Sequence, residues 1–182
     1  MGDAAPGVAA EGGVRDRDGP AVRRPGAEPT EAALERRDLI GWDGLQGGDK
    51  AMADHLRLTG DLVALRRRHP ALRGEALNVF HVHNDNRVIA YHRWLEGSGG
   101  DIVVVASLNE STFLGYDLGF PGPGRWLEIF NSDVYDGWVN PQTVGNGGSI
   151  VASAVPLHGL SSSASIVIPA NGLLVFARDT GA

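Results

Sequence analysis

The chain has 182 residues, of which 42 % are hydrophobic, and its 16 basic and 22 acidic side chains give a net charge of −6. This size suits one domain with a real core, and the absence of cysteine excludes disulfides and cysteine-based zinc sites. An acidic chain without a basic stripe is a poor partner for nucleic acids and anionic membranes. Neither a secretory signal nor an apolar run of roughly 18 residues is present, so we expect a cytoplasmic protein.

The first segment, residues 1–37, differs in composition from the rest of the chain. It is rich in glycine, proline and charged residues, and no aromatic residue precedes Trp42. Such a segment cannot bury enough apolar surface to offset the entropy lost on ordering. We therefore predict a disordered low-complexity tail over 1–37.

Residues 38–74 are predicted to form a glycine-rich loop and one long helix. Asp49 is a suitable N-cap and Pro70 a suitable stop. Apolar residues in steps of three and four predict one buried face: Met52, Leu56, Thr59, Leu62, Val63 and Leu65. The opposite face is predicted to carry Arg57, Asp61 and the arginines at 66–68. A helix this one-sided must pack on another surface.

Residues 75–182 change to a two-residue period and contain many short turns. Strands are predicted at 78–83, 87–96, 101–108, 112–120, 125–131, 149–155, 165–168 and 172–178. Strands of this length with a turn every eight to twelve residues indicate an antiparallel sandwich or barrel. We expect a mostly β protein, an antiparallel β-sandwich of about eight strands, preceded by one long amphipathic helix and a disordered N-terminal tail.

Several segments resemble a known superfamily. The segment IGWDGLQGGDKAMADHLRLTGDLVALRRRHPALRG (40–74) resembles the end of the catalytic barrel in α-amylase-superfamily enzymes. The segment NVFHVHNDNRVIAYHRW (78–94) resembles the first hairpin of the C-terminal domain of bacterial 1,4-α-glucan (glycogen) branching enzymes, and DIVVVASLN, PGPGRWLEIFNSD, VGNGG and GLLVFAR follow in the family's order. The resemblance implies an α-amylase-type C-terminal β-sandwich with the last barrel helix, from a branching enzyme or a related amylase-type glycosidase.

The resemblance also implies where catalysis belongs. These enzymes use two carboxylates about 5 Å apart on a barrel of at least about 200 residues. Only about 49 residues precede the helix, and none of the family's catalytic segments is matched. We therefore expect no catalytic residue, no cofactor and no turnover by this chain alone. The partner implied for it is the catalytic barrel of the parent enzyme, and the ligand an α-glucan.

Histidines offer one possible metal site. His81 and His83 share one face of a strand, with His92 nearby in the hairpin. No carboxylate or third ligand is clearly placed, so the pair is interpreted as partly exposed strand histidines and no metal is predicted. The glycine-rich VGNGG segment does not join a strand to a helix, and it is predicted to be a turn.

Sugar binding is the more serious alternative, because aromatic rings stack on pyranose faces. Trp126 is expected in the core, whereas the irregular loop 132–148 supplies the candidate substrate-binding residues Tyr135, Trp138 and Asn140, with Asn131 and Asp133 as further polar groups. Two hypotheses follow: a structural domain of a branching enzyme, or a stand-alone glucan-binding module. An exposed apolar helix face would favour the first, and exposed Tyr135 and Trp138 the second.

Overall fold

The computed structural model describes residues 43–135 and 143–181, all within one compact unit, Trp42–Ala182. The predicted tail over 1–37 lies outside the described residues. The helices are α1 (Asp43–Gln46) and α2 (Lys50–Arg68), with 3₁₀ turns at Pro70–Leu72 and Ser132–Val134. The strands are β1 (Leu77–His83), β2 (Val88–Arg93), β3 (Ile102–Ser107), β4 (Phe113–Phe120), β5 (Gly124–Asn131), β6 (Ser149–Ala152), β7 (Ser162–Ile168) and β8 (Leu173–Arg178).

The strands form two antiparallel sheets. The larger has the order β1-β2-β3-β8-β5-β6, and β4 pairs with β7 in the smaller. The predicted fold class, a mostly β protein of about eight antiparallel strands preceded by one long helix, is confirmed. Three predicted strands differ by three residues at one end, because β2 ends at Arg93, β6 ends at Ala152 and β7 begins at Ser162.

The main core lies between the two sheets. Side chains from both inner faces meet there because alternate residues of a strand point to the same side. Phe120 of the small sheet contacts Trp126 and Phe176 of the large sheet, with ring centroids 5.2 and 5.8 Å apart. Trp126 is fully buried and donates its indole N–H to the carbonyl of Gly122. The prediction that Trp126 belongs to the core is confirmed.

Helix α2 begins and ends as its sequence predicts. Asp49 accepts a hydrogen bond from the backbone N–H of Met52 at 3.1 Å, which caps the first turn. The backbone N–H of His69 donates to the carbonyl of Leu65, and Pro70 then opens the 3₁₀ turn. No helix among the described residues is long and apolar enough to cross a membrane.

The face of α2 that packs on the sandwich differs from the predicted one. Helix α2 lies on the outer face of the large sheet and contributes Leu58, Leu62 and Leu65 to a second apolar cluster. Met52, Leu56 and Val63 are instead between 38 % and 54 % exposed. Successive helical residues are about 100° apart, so the centres of these two sets lie about 130° apart around the helix axis. The prediction of a single apolar face was wrong, because α2 carries two apolar stripes and the sheet covers only one.

Candidate functional site

The junction between α2 and the end of β5 is built around Tyr135. Its hydroxyl donates to Asp61 Oδ2 at 2.8 Å, and the Arg57 guanidinium lies 4.5 Å from its ring centroid. Arg57 also donates to the carbonyl of Val134. Burial raises the pKa of Tyr135 from 10.0 to about 12, and the hydrogen bond to Asp61 adds to the rise. Helix and loop are thus joined by a polar contact as well as by the apolar cluster.

This contact was missed at the level of sequence. Arg57 and Asp61 are spaced i, i+4 and therefore share one side of the helix, but we assigned that side to solvent. The structure turns it toward Tyr135. The i, i+4 spacing was a usable signal that both side chains reach one partner, but no local feature identified a tyrosine 74 residues away.

The stem of the irregular loop is held by buried polar side chains. The Asn131 side chain caps the 3₁₀ turn by accepting from Asp133 N–H at 2.9 Å, and its amide donates to Glu128 and to the carbonyl of Val144. Asp133 Oδ2 accepts from Val144 N–H at 2.8 Å. Asn131 and Asp133, which we expected to offer contacts to a sugar, are therefore engaged in holding the two ends of the loop together.

The VGNGG segment is a turn, as predicted. Gly147 and Gly148 both adopt positive φ, of 65° and 87°, a conformation that glycine tolerates without strain. The side chain of Asn146 is bonded on both sides: it donates to Glu128 and exchanges two hydrogen bonds with Val167 of β7. The turn therefore ties β5 to β7 across the two sheets.

Of the three predicted substrate-binding residues, only Tyr135 lies within the described part of the chain. Tyr135 is only 2 % exposed, and Arg57 lies over its ring, so the junction would have to open before this ring could stack on a sugar. Trp138 and Asn140 lie outside the described residues. A cleft of about 360 Å³ adjoins Tyr135 and is lined by the charged side chains of Asp61, Arg68 and Glu128. The role of these residues in sugar binding stays a prediction.

The predicted histidine pair lies on the other side of the sandwich. The register places His81 opposite Ala90 and His83 opposite Val88, both of which face the core. His92 is separate from them, because it bonds to Asp101 at 2.8 Å. His158, which sequence analysis did not single out, stacks on His81 with ring centroids 4.0 Å apart. Among the described residues, no group of three histidine or acidic side chains could hold a metal ion.

Comparison with known proteins identifies the family. A family model described as the C-terminal all-beta domain of alpha amylase matches residues 80–179. The 1,4-alpha-glucan branching enzyme GlgB of Pseudomonas syringae pv. tomato is 31 % identical over 140 residues, which are 71 % of this chain and 18 % of that protein. The GlgB of Paraburkholderia xenovorans is 38 % identical over 96 residues, 52 % of this chain and 12 % of that protein.

A third relative, the GlgB of Frankia casuarinae, is 36 % identical over 92 residues, 50 % of this chain and 11 % of that protein. The chain thus spans less than a fifth of the length of the curated relatives it matches. The family model covers more than half of the chain, and the strands that it matches are those of the observed sandwich. The chain therefore belongs to the family of α-amylase C-terminal all-β domains.

Proposed function

We propose that this chain is the C-terminal β-sandwich portion of a 1,4-α-glucan branching enzyme-like protein and that it acts as a structural domain with no turnover of its own. The observation that carries the proposal is the extent of the match. A domain model covers residues 80–179, and the branching enzymes named above align over 18 % of their length or less. Their names favour a branching enzyme over a related amylase-type glycosidase.

Helix α2 supports a role against another domain. Its exposed stripe, Met52, Leu56 and Val63, lies about 130° around the helix axis from the leucines that pack on the sheet. A helix that is apolar on two sides is typical of one enclosed between two layers. We infer that the exposed stripe is the surface covered by the catalytic domain of the parent enzyme.

The first test is an activity assay of the purified 182-residue chain on amylose and amylopectin. We expect no new α-1,6 branches at chain concentrations at which an equal molar amount of the Pseudomonas syringae enzyme gives a clear signal. Branching by the chain alone would contradict the structural role.

The second test uses the part of the Pseudomonas syringae enzyme that this chain does not match. We expect the two to co-purify and the combination Met52→Gln, Leu56→Gln and Val63→Gln to abolish co-purification. The control combines Leu114→Gln and Val151→Gln, two strand residues that are 78 % and 70 % exposed, and it should retain binding. Equal retention by both variants would contradict the assignment of the stripe.

Glucan binding is the second candidate, and the cleft beside Tyr135 favours it. Carboxylates and a guanidinium converge there next to an aromatic side chain, as polar groups do in carbohydrate-sized pockets. We propose that Trp138 and Asn140 bind the glucan by stacking and hydrogen bonding, together with polar groups of this cleft.

Affinity electrophoresis in gels containing glycogen tests this candidate. Retardation of the chain that is lost in Trp138→Ala and weakened in Asn140→Ala would support the binding module. The matched control is Leu114→Ala, which removes an exposed apolar side chain from β4 and should leave retardation unchanged. Migration that glycogen does not change would contradict the binding module, and the structural role would then be the remaining proposal.

A further inference from the structure

Three imidazoles meet where one side of the sandwich closes. His81 shares a hydrogen bond of 2.7 Å with the Tyr116 hydroxyl of β4, which joins the edge strand of the large sheet to the small sheet. His158 stacks on His81 at 4.0 Å, and the His83 ring lies 6.1 Å from that of His81. In the described part of the chain, no hydrogen bond or ion pair connects any of these three histidines to a carboxylate.

His158 belongs to the loop between β6 and β7, residues 153–161. Most of this loop is exposed, and its half-buried positions are Leu157, His158 and Leu160. His158 adopts a positive φ of 53°, a conformation that is uncommon outside glycine but that histidine, like asparagine and aspartate, adopts more often than other residues. The loop lies so close to β4 that a Cβ at Gly119 would overlap the carbonyl oxygen of Leu157. Besides His158, the side chain of Ser161 holds the loop to the sandwich by donating to the carbonyl of Pro121 at 2.8 Å.

One hydrogen bond indicates the protonation state of the His158 ring. Its Nδ1 accepts from the backbone N–H of Gly119 at 3.3 Å, so this nitrogen must be unprotonated. Protonation would place a second donor against that N–H and a positive charge against the His81 ring. From the elements packed here, the titratable groups that contact the stack are His81 and His83 of β1 and Tyr116 of β4. None of them offers a negative charge near neutral pH.

We propose that His81 and His158 form an acid-sensitive latch that holds the β6–β7 loop against the sandwich near neutral pH and releases it in mild acid. Release removes the acceptor from Gly119 N–H and uncovers Leu157 and Leu160. The latch is independent of the function proposed above, since it uses neither the exposed stripe nor the cleft.

The direction of the pH dependence follows from the environment of each ring. Burial lowers the pKa of His81, and the neighbouring His158 and His83 lower it further. Burial also lowers the pKa of His158. Both groups bind protons more readily in the unfolded or opened state, so the latch is fully formed above the ordinary value of 6.5. Its stability is lost as the pH falls through 6.5 toward the lowered values.

The test measures amide hydrogen exchange of the full 182-residue chain by NMR at pH 8 and pH 5, with each rate corrected for intrinsic exchange. We expect the protection factor of the Gly119 amide to fall severalfold at pH 5 relative to that of Val104, a core amide of β3. His158→Asn tolerates positive φ, keeps an acceptor near the Nδ1 position and does not titrate, so its Gly119 protection should not depend on pH in this way.

Two further variants keep the test decisive. His81→Gln retains a polar group near Tyr116 without a titratable ring, and it should also lose the pH effect. His55→Gln, on the exposed side of α2, is the matched control and should behave as the parent chain does. Equal Gly119 protection at both pH values in the parent chain would overturn the latch, and so would an unchanged pH effect in both His158→Asn and His81→Gln.

Discussion

The two faces of the large sheet are buried in different ways. The inner face meets the small sheet through interlocked aromatic and aliphatic side chains such as Phe120, Trp126 and Phe176. In the described part of the chain, the outer face meets one helix, α2, and the contact combines Leu65 with the polar pair Tyr135 and Asp61. The inner face therefore has the character of a domain core, whereas the outer face resembles an interface between domains. This difference supports our proposal that α2 also packs against a second domain.

The largest effect is expected on the inner face. Phe176→Ala removes a fully buried ring that packs edge-on against Phe120 and should lower the free energy of unfolding by about 3–5 kcal/mol, measured by urea denaturation. Leu114→Ala on the exposed face of β4 is the control and should change it by less than about 0.5 kcal/mol. A loss below about 1 kcal/mol in Phe176→Ala would remove the distinction between the two faces.

A smaller effect is expected on the outer face. Leu65→Ala truncates the most buried leucine of α2 and should lower the free energy of unfolding by about 2 kcal/mol. We expect a value at the low end for such a change because the helix can move toward the sheet and fill part of the cavity. Val63→Ala, on the exposed stripe two residues earlier, should change stability by less than about 0.5 kcal/mol. Equal effects of the two substitutions in denaturation experiments would show that α2 is oriented differently from this structure.

The smallest effect concerns the polar part of the outer contact. Tyr135→Phe removes the hydrogen bond to Asp61. Because the Asp61 side chain is exposed and water can replace the lost donor, the free energy of unfolding should fall by only about 1 kcal/mol. The parent chain should also lose stability between pH 10 and about 12, because the pKa of Tyr135 is raised and the unfolded chain ionises first.

The pH dependence has its own measurement. Stability at pH 9 and at pH 11 is compared for the parent chain and for Tyr135→Phe, and the difference between the two proteins should shrink at the higher pH. Ultraviolet absorbance should show that the tyrosinate signal that Tyr135→Phe lacks appears only near pH 12 in the parent chain. Its appearance near pH 10 would contradict the buried position of Tyr135.

Local signals explain what sequence analysis predicted correctly. The cap at Asp49, the stop at Pro70 and the alternation along β2 and β3 depend on neighbouring residues, so the helix and most strand bounds could be read directly. The start of β7 was missed because Ser162 and Ser163 have weak strand preference. They become a strand only by pairing with Phe120 and Gly119 of β4.

The candidate site depended on contacts that no local pattern contains. Both stripes of α2 are apolar, and only the shape of the sheet decides which one it covers. Tyr135 appeared to be a free loop aromatic because its partners, Arg57 and Asp61, are far away in sequence. The histidine cluster was half predicted: His81 and His83 share a face by strand periodicity, but His158 reaches them through a loop.

Strand β1 carries a bulge at Phe80, between Val79 and His81, and this bulge affects how the chain behaves at high concentration. In the described residues β1 is an edge of the large sheet, and Leu77, Val79 and Val82 are exposed along it. A long, flat apolar edge would recruit strands from other molecules and aggregate. The register breaks between Val79 and His81, so the unpaired backbone groups do not form one regular row, and a second chain could not add to this edge along its whole length.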